Sequence, residues 1–128
     1  MFRTVNPETI APPLARYSHA VAVEGARRLV FCSGQLGMDQ SGAIPADVAE
    51  QTRICFANIE KILRSEDMTF ANIVRINAFA IERSDLSAYM AVRDALFPAS
   101  SPPASTLILV AGFSRPEFKI EIEVVAAD

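Results

Sequence analysis

The chain has 128 residues, a length that predicts a single domain spanning residues 1–128. Hydrophobic residues make up 51% of it and charged residues 21%, which argues against intrinsic disorder. The net charge is −3 and lysine and arginine do not cluster, so a nucleic-acid partner is not expected. No apolar run reaches membrane-spanning length, and residues 1–13 lack signal-peptide features. We therefore expect a cytoplasmic protein with no membrane partner.

The two cysteines and the single histidine offer little for a metal site. Cys32 and Cys55 lack the spacing of metal ligands, and both lie in apolar stretches. Buried free thiols in a reducing cytoplasm are the simplest interpretation. The sequence predicts no bound metal.

The N-terminal part of the chain has the character of strands. Residues 1–13 contain three prolines and predict an extended arm with a short edge strand at residues 2–5. Residues 17–24 (YSHAVAVE) and 28–33 (RLVFCS) predict two strands, and the turn at Gly25-Ala26 suggests that they form a β-hairpin. Glycines at positions 34, 37 and 42 mark the loop that follows.

A first helix is predicted to begin at Asp47, with Glu50 at the spacing of a capping box. Glu60 and Arg64 form an i,i+4 pair on its exposed side, and it should end near residues 65–68. Apolar residues recur at helical spacing along its other side: Val48, Cys55, Ile59, Ile62 and Leu63.

A second helix is predicted to start with Ser84 or Asp85 as its cap and to end near Pro98. The residues expected on its buried side are Leu86, Tyr89, Met90 and Phe97.

Three further segments predict strands. Residues 73–81 (IVRINAFAI) are β-branched and apolar, and residues 106–111 form a continuous apolar run typical of a strand buried on both faces. Residues 118–125 alternate, with Lys119, Glu121 and Glu123 on one face. The other face carries Phe118, Ile120, Ile122 and Val124.

The resulting order, β-β-α-β-α-β-β, predicts an α+β fold with a mixed sheet. Strands that are separated by helices imply right-handed crossovers, which place both helices on one face of the sheet. The opposite face, with Glu121 and Glu123, has no cover within one chain. An uncovered sheet in an apolar chain predicts a homo-oligomer.

Four short motifs, at spacings that match over nearly the whole chain, carry a family resemblance. They are Tyr17-Ser18 in ARYSHAV, residues 31–35 (FCSGQ), residues 51–53 (QTR) opening a helix, and residues 119–123 (KIEIE). Together they resemble the RidA-like proteins (Rid, reactive intermediate deaminases). The resemblance implies a chorismate-mutase-like fold and a homotrimer whose sheets form a central barrel. Helices would lie outside, and clefts that bind a small-molecule ligand would lie between subunits.

RidA-like enzymes hydrolyse reactive enamines and imines to 2-oxo acids and ammonia, without a metal or an organic cofactor. The resemblance implies Tyr17 and Glu121 as catalytic residues: Tyr17 at the cleft wall, and Glu121 near the attacking water. A carboxylate can orient or deprotonate such a water. The implied substrate-binding residues are Ser33, which would lie near the substrate carboxylate, and Met90, Ser105 and Thr106.

The chain departs from the family at the residue expected to hold the carboxylate. Active relatives read Pro-Ala-Arg-Ser-Thr where this chain has residues 103–106 (PAST), so Ser105 takes the Arg position. An arginine pairs with a carboxylate through two charge-assisted hydrogen bonds, which one neutral hydroxyl does not replace. Met90 falls where the better-known deaminases often carry an Asn, and one extra residue lies near Pro116. The chain thus resembles the Arg-lacking branches of the family.

Each candidate residue also has a purely structural interpretation. Glu121 would then be a polar residue in a solvated trimer channel, Tyr17 a packed residue with a satisfied hydroxyl, and Ser33 part of a turn. His19 is expected to be a satisfied strand residue. The sequence places neither Arg16 nor Arg115 in the cleft as a substitute for the missing cation.

Two functions remain open from the sequence. The first is an enamine or imine deaminase, a hydrolase whose substrate lacks a simple carboxylate or is held by a different cation. The second is a non-catalytic trimer that binds a small metabolite in the intersubunit cleft. A ribonuclease fits the acidic balance poorly, and a chorismate mutase would rest on fold alone.

Overall fold

The computed structural model describes residues 2–128 as an α+β fold of two helices and six strands. The helices are α1 (Val48–Arg64) and α2 (Leu86–Leu96). The strands are β1 (Phe2–Val5), β2 (Ala20–Val23), β3 (Leu29–Leu36), β4 (Ile73–Ala80), β5 (Ala104–Leu109) and β6 (Ile120–Ala127). The short edge strand predicted at residues 2–5 is confirmed. Within residues 2–128, neither helix is long and apolar enough to cross a lipid bilayer.

Four strands form one mixed sheet in the order β3-β6-β4-β5. Strand β6 runs antiparallel to both of its neighbours, and β5 runs parallel to β4. Both helices pack on one face of this sheet, α1 against β3 and β6, with α2 beside α1. The mixed sheet and the common helix face confirm the predicted architecture.

The predicted hairpin between residues 17–24 and 28–33 is wrong. Strand β2 pairs with β1, whereas β3 pairs with β6, so the two segments belong to different sheets. Gly25 does make the predicted turn, with φ at 68°, but that turn carries the chain from one sheet to the other. Strand β1 forms the backbone hydrogen bonds of β2, so β3 is free to pair with β6 in the main sheet.

The two sheets meet at Ser18. Its backbone N–H donates to the Pro103 carbonyl at 3.1 Å, and its buried hydroxyl donates to the Pro102 carbonyl at 2.6 Å. Ser18 also forms a parallel bridge with Ala104 at the start of β5. The segment that precedes β2 is therefore fixed beside β5.

Helix α1 begins and ends as the sequence predicts. The Asp47 carboxylate accepts a hydrogen bond from the Glu50 N–H at 3.1 Å, and Ser65 follows the last helical residue. Arg64 donates to Glu60 at 2.6 Å, which confirms the i,i+4 pair. Of the predicted apolar stripe, Ile62 is partly buried against the core and the others are fully buried.

Helix α2 begins after Asp85, as predicted, but the Asp85 side chain makes no capping bond. A short 3₁₀ turn (Arg83–Asp85) leads into the helix instead. Tyr89 and Phe97 are fully buried, and Leu86 and Met90 pack against the edge of the core.

The predicted alternation of residues 118–125 is confirmed. Ile120, Ile122 and Val124 face the helices and are buried, whereas Glu121 and Glu123 lie on the opposite face. Phe31 on β3 is 74% exposed on that open face.

The prediction that residues 106–111 form a strand buried on both faces is wrong for a single chain. Strand β5 is the last of its sheet, and Ile108 and Leu109 are 46% and 38% exposed. A continuous apolar run indicates that a strand is eventually covered, but it does not say whether the cover comes from the same chain.

Candidate active site

Glu121 lies near the start of β6, directly across from Leu36 on β3. A side chain on nearby Gly34 would overlap the Glu121 carboxylate, so the glycine leaves the space that this carboxylate occupies. Within residues 2–128 no side chain pairs with Glu121, which leaves both carboxylate oxygens free to accept protons or hydrogen bonds.

Glu123, two residues further along the same face, is already engaged. Its Oε1 accepts a hydrogen bond from Asn77 Nδ2 at 3.1 Å. Asn77 and Glu123 line a shallow cavity of about 260 Å³ together with Phe31 and Ser33. Of the two glutamates on the open face, Glu121 is the one without a side-chain partner among residues 2–128.

Gln51 fixes the loop that delivers Glu121. Its side-chain oxygen accepts from the Lys119 N–H at 2.9 Å, and its amide nitrogen donates to the Glu117 and Pro45 carbonyls at 2.8 Å each. A side chain on Gly37 would overlap Gln51, so this glycine is needed for the buried amide to fit. The structure thus gives the QTR and KIEIE motifs a common role in placing the first residues of β6.

Tyr17 is held to the N-terminal arm. Its hydroxyl accepts from the Leu14 N–H at 3.3 Å, and its ring stands edge-on to His19 at 6.0 Å. His19 Nε2 is in turn 2.7 Å from the Ala11 carbonyl, so this histidine is satisfied by backbone. Because Ser18 is fixed to Pro103, Tyr17 lies at the β5 end of the sheet.

Ser105 and Thr106 project from opposite faces of β5. Ser105 pairs in register with Ile76, which faces the helices, and its hydroxyl oxygen is buried without a hydrogen-bond partner. Thr106 pairs with Asn77 on the open face, where its hydroxyl accepts from Arg75 at 3.3 Å. Met90 on α2 is half-buried. Only Ser105 of the two β5 residues turns towards the helix that carries Met90.

The candidate residues fall into two groups within one chain. Ser33 and Glu121 lie on the neighbouring strands β3 and β6, whereas Tyr17, Met90, Ser105 and Thr106 lie around β5 and α2. Two strand spacings separate β6 from β5 and three separate β3 from it, roughly 10–14 Å. Within one chain the candidate residues therefore form two separate groups rather than one closed site.

The sequence analysis missed Arg93. This residue is 4% exposed and lies one turn after Tyr89 and Met90 on α2, with its guanidinium carbon 5.6 Å from the Tyr89 ring centroid. Its Nε donates to Asp94 Oδ1 at 3.0 Å. A charged residue at helical spacing within an otherwise apolar buried stripe is the signal that identifies it.

The buried position of Tyr89 beside Arg93 changes the pKa of its hydroxyl group. Burial raises the pKa of Tyr89 to about 12, while nearby Arg93 and Ser105 oppose the increase.

Arg16 lies at the C-terminus of α2. Its Nη1 donates to the Asp94 carbonyl at 2.6 Å and to the Phe97 carbonyl at 3.5 Å. Arg115 is exposed in the loop before β6.

Both cysteines are free and buried, as predicted. Burial raises the pKa of the Cys32 thiol and raises that of Cys55 to about 12. Within residues 2–128, no group of three or more His, Cys, Asp or Glu side chains is arranged to hold a metal ion.

Comparison with known proteins identifies the family. Residues 8–128 match the family model described as Endoribonuclease L-PSP. The Rid-family protein YyfB from Yersinia pestis has a similar structure, with a TM-score of 0.88 and 30% identity over 99% of this chain and 98% of that one. The chain belongs to the RidA-like family.

Curated relatives agree with this assignment. The chain is 34% identical over 122 residues to the bovine protein named 2-iminobutanoate/2-iminopropanoate deaminase, covering 94% of this chain and 82% of that one. It is also 32% identical over 115 residues to Protein mmf2, mitochondrial, from Schizosaccharomyces pombe, covering 88% and 87% of the two chains. The RidA resemblance noted from the motifs is confirmed.

Proposed function

We propose that this RidA-like protein is a homotrimeric, cytoplasmic hydrolase that releases ammonia from a reactive enamine or imine. The observation that carries the proposal is the Glu121 carboxylate, which Gly34 accommodates and which no described side chain pairs with. The deaminase name of the bovine relative supports the same reaction class. The substrate would differ from the small 2-imino acids, because Ser105 stands in place of the family's arginine.

The proposed reaction consumes one water and releases one ammonia. Glu121 accepts a proton from the water as the water oxygen attacks the imine carbon, and this proton then passes to the imine nitrogen. The resulting carbinolamine then transfers its hydroxyl proton to the nitrogen. The C–N bond breaks, ammonia leaves, and the former hydroxyl oxygen becomes the carbonyl of the product. Tyr17 would form the wall of the cleft, and Ser33 would contact a polar group of the substrate.

The trimer is proposed because two half-sites need a second copy. If β3 and β6 of one subunit approach β5 and α2 of the next, Ser33 and Glu121 join Tyr17, Met90 and Ser105. The exposed apolar side chains of Phe31, Ile108 and Leu109 would be covered in the same step. A second copy of this chain would thus both cover the open sheet face and complete the site.

The test is turnover of enamines and imines generated in situ by an amino-acid oxidase. Glu121→Gln should lower turnover by about 10²-fold or more, because it removes a general base without changing the shape of the side chain. Glu123→Gln is the matched control: it lies on the same face of the same strand, and the amide oxygen can still accept from Asn77. Equal turnover by wild type and Glu121→Gln would refute the role of Glu121.

A non-catalytic trimer that binds a small metabolite is the second candidate, favoured by the neutral Ser105. It predicts that compounds of the panel, or their carbonyl products, bind saturably while no enamine or imine in the panel is hydrolysed faster than in buffer. Measurable turnover that depends on Glu121 would reject it.

A further inference from the structure

We infer that Arg16 is a positioning residue for the proposed cleft, because its guanidinium joins the segment that carries Tyr17 to the C-terminus of α2. The inference rests on the proposed function, in which Tyr17 and Met90 line the same cleft. Arg16 would set the distance between the Tyr17 segment and the helix that carries Met90, without contacting the substrate itself.

The first support is that the C-terminus of α2 has no backbone cap of its own. The last carbonyl groups of a helix have no partner within the helix. At the end of α1 the Ser65 N–H closes the helix with backbone hydrogen bonds. Among residues 2–128, the Phe97 N–H makes no such capping bond after α2, and Pro98 has no N–H to offer. The carbonyl groups at this end therefore need a donor from elsewhere in the chain.

The second support is that Arg16 supplies this donor. Its Nη1 donates to the Asp94 carbonyl at 2.6 Å and to the Phe97 carbonyl at 3.5 Å. The negative end of the helix dipole also favours a positive charge at this position. Arg16 is half-buried, and its shorter bond joins residues 78 positions apart in the sequence. The N-terminal arm is thereby tied to the helix.

The third support is that both neighbours of Tyr17 are anchored. Ser18 is fixed to the segment before β5 by two hydrogen bonds, of 2.6 and 3.1 Å. The arm before Arg16 gives less support, because Leu14 is 93% exposed and only its N–H reaches the Tyr17 hydroxyl, at 3.3 Å. Without Arg16, Tyr17 would be firmly held on one side only.

The same contact relates Tyr17 to Met90. Met90 lies one helical turn before Asp94, whose carbonyl accepts the shorter bond from Arg16. Tyr89, also on α2, is fully buried and stacks on Phe56 in the core. The core therefore holds the helix when Arg16 is removed, and the residue that should move is Tyr17.

The test is fluorine NMR of the protein with both of its tyrosines replaced by 3-fluorotyrosine. Tyr17→Phe identifies which of the two signals is Tyr17. Arg16→Met should move the Tyr17 signal towards its position in urea-unfolded protein and leave the Tyr89 signal in place. Arg16→Lys should move it less, because lysine keeps the charge and a donor. Arg83→Met, which removes an exposed arginine before α2, is the control and should move neither signal.

The same variants are then assayed with imines generated by an amino-acid oxidase. Arg16→Met should lower kcat/KM by about tenfold, chiefly through KM, because the displaced Tyr17 contacts the substrate and takes no part in the proton transfers. Arg16→Lys should recover part of this loss, and Arg83→Met should behave as wild type does. A loss confined to kcat would overturn the inference.

A milder variant keeps the inference testable if Arg16→Met does not fold. Arg16→Gln removes the charge and shortens the side chain but keeps an amide donor, and it should move the Tyr17 signal in the same direction. A Tyr17 signal at its wild-type position in Arg16→Met, or in Arg16→Gln if only that variant folds, would overturn the inference. So would a shift confined to Tyr89, because it would show that Arg16 acts only on α2.

The two measurements separate the inference from the proposed function. A displaced Tyr17 signal in Arg16→Met, with no turnover even by wild type, would keep Arg16 as the anchor of Tyr17 and reject the hydrolase. Glu121-dependent turnover with an unmoved Tyr17 signal would keep the hydrolase and reject the role of Arg16.

Discussion

Replacing Gly34 by alanine would separate the position of Glu121 from the stability of the fold. The new Cβ would lie 2.7 Å from Glu121 Cδ and 2.8 Å from Cγ, whereas carbon atoms normally pack at about 3.5–4.0 Å. The carboxylate must therefore move by roughly 1 Å, and a displacement of that size can lower a rate by about 10²-fold.

The cost in folding stability should be small. An off-rotamer Glu121 costs about 0.5–1.5 kcal/mol, and exchanging glycine for alanine recovers about 0.4–1 kcal/mol through the unfolded chain. Gly34 does not have a positive φ, so alanine fits its backbone. We expect the free energy of unfolding to change by no more than ~1 kcal/mol.

The assay pairs turnover of oxidase-generated imines with urea unfolding. Gly112→Ala is the matched control, because Gly112 also lacks a positive φ and a Cβ there would meet no atom within 4 Å. It should retain turnover and stability. Full turnover in Gly34→Ala would refute the argument that the glycine positions Glu121 for catalysis.

Three further predictions concern substrate, assembly and thiols. Turnover of 2-iminopropanoate and 2-iminobutanoate should be about 10²-fold or more below that of an Arg-containing relative, because Ser105 lacks the charge; comparable rates in the coupled oxidase assay would contradict this. Light scattering should give a trimer at micromolar concentration, and Phe31→Glu should shift it towards monomer; a wild-type monomer would contradict the open-face argument. Folding raises the pKa of Cys55 from 9.0 to about 12. The buried neutral thiol therefore contributes stability that is fully present below about pH 9 and is lost as the pH rises towards 12. Urea unfolding at increasing pH should therefore show falling stability above pH 9, and a flat profile there would count against the buried thiol.

Most elements could be predicted from local patterns. The alternation in residues 118–125, the apolar stripe with its Asp47 cap, and the stripe around Tyr89 each report which face of an element is buried. These patterns act within a few residues, so they need no knowledge of the rest of the chain.

The errors arose where long-range pairing decides. A turn at Gly25 is compatible with a hairpin, but β2 finds its partner in β1 and β3 finds its partner in β6, nearly 90 residues later. The apolar run in β5 predicts burial without naming the cover, and within one chain Ile108 and Leu109 are left exposed.

The candidate site could be predicted only in part, again because long-range strand pairing decides which residues lie together. Motif resemblance singled out Ser33, Glu121 and Ser105, but it does not say that the first two lie across the sheet from the third. Arg93 was missed because a lone arginine on a helix is usually solvated; only the packing of α2 on β5 reveals that it is buried beside Tyr89 and Ser105.

Mixed trimers test most directly whether the site is shared between subunits. Glu121→Gln and Tyr17→Ala subunits, each expected to have little turnover alone, would be co-expressed and purified through two different tags. If Glu121 of one subunit serves a cleft with Tyr17 of the next, every mixed trimer has one intact cleft of three, so the doubly purified trimers should have about a third of wild-type turnover. Turnover that stays at the level of the two parent variants would contradict a cleft built from Glu121 of one subunit and Tyr17 of its neighbour.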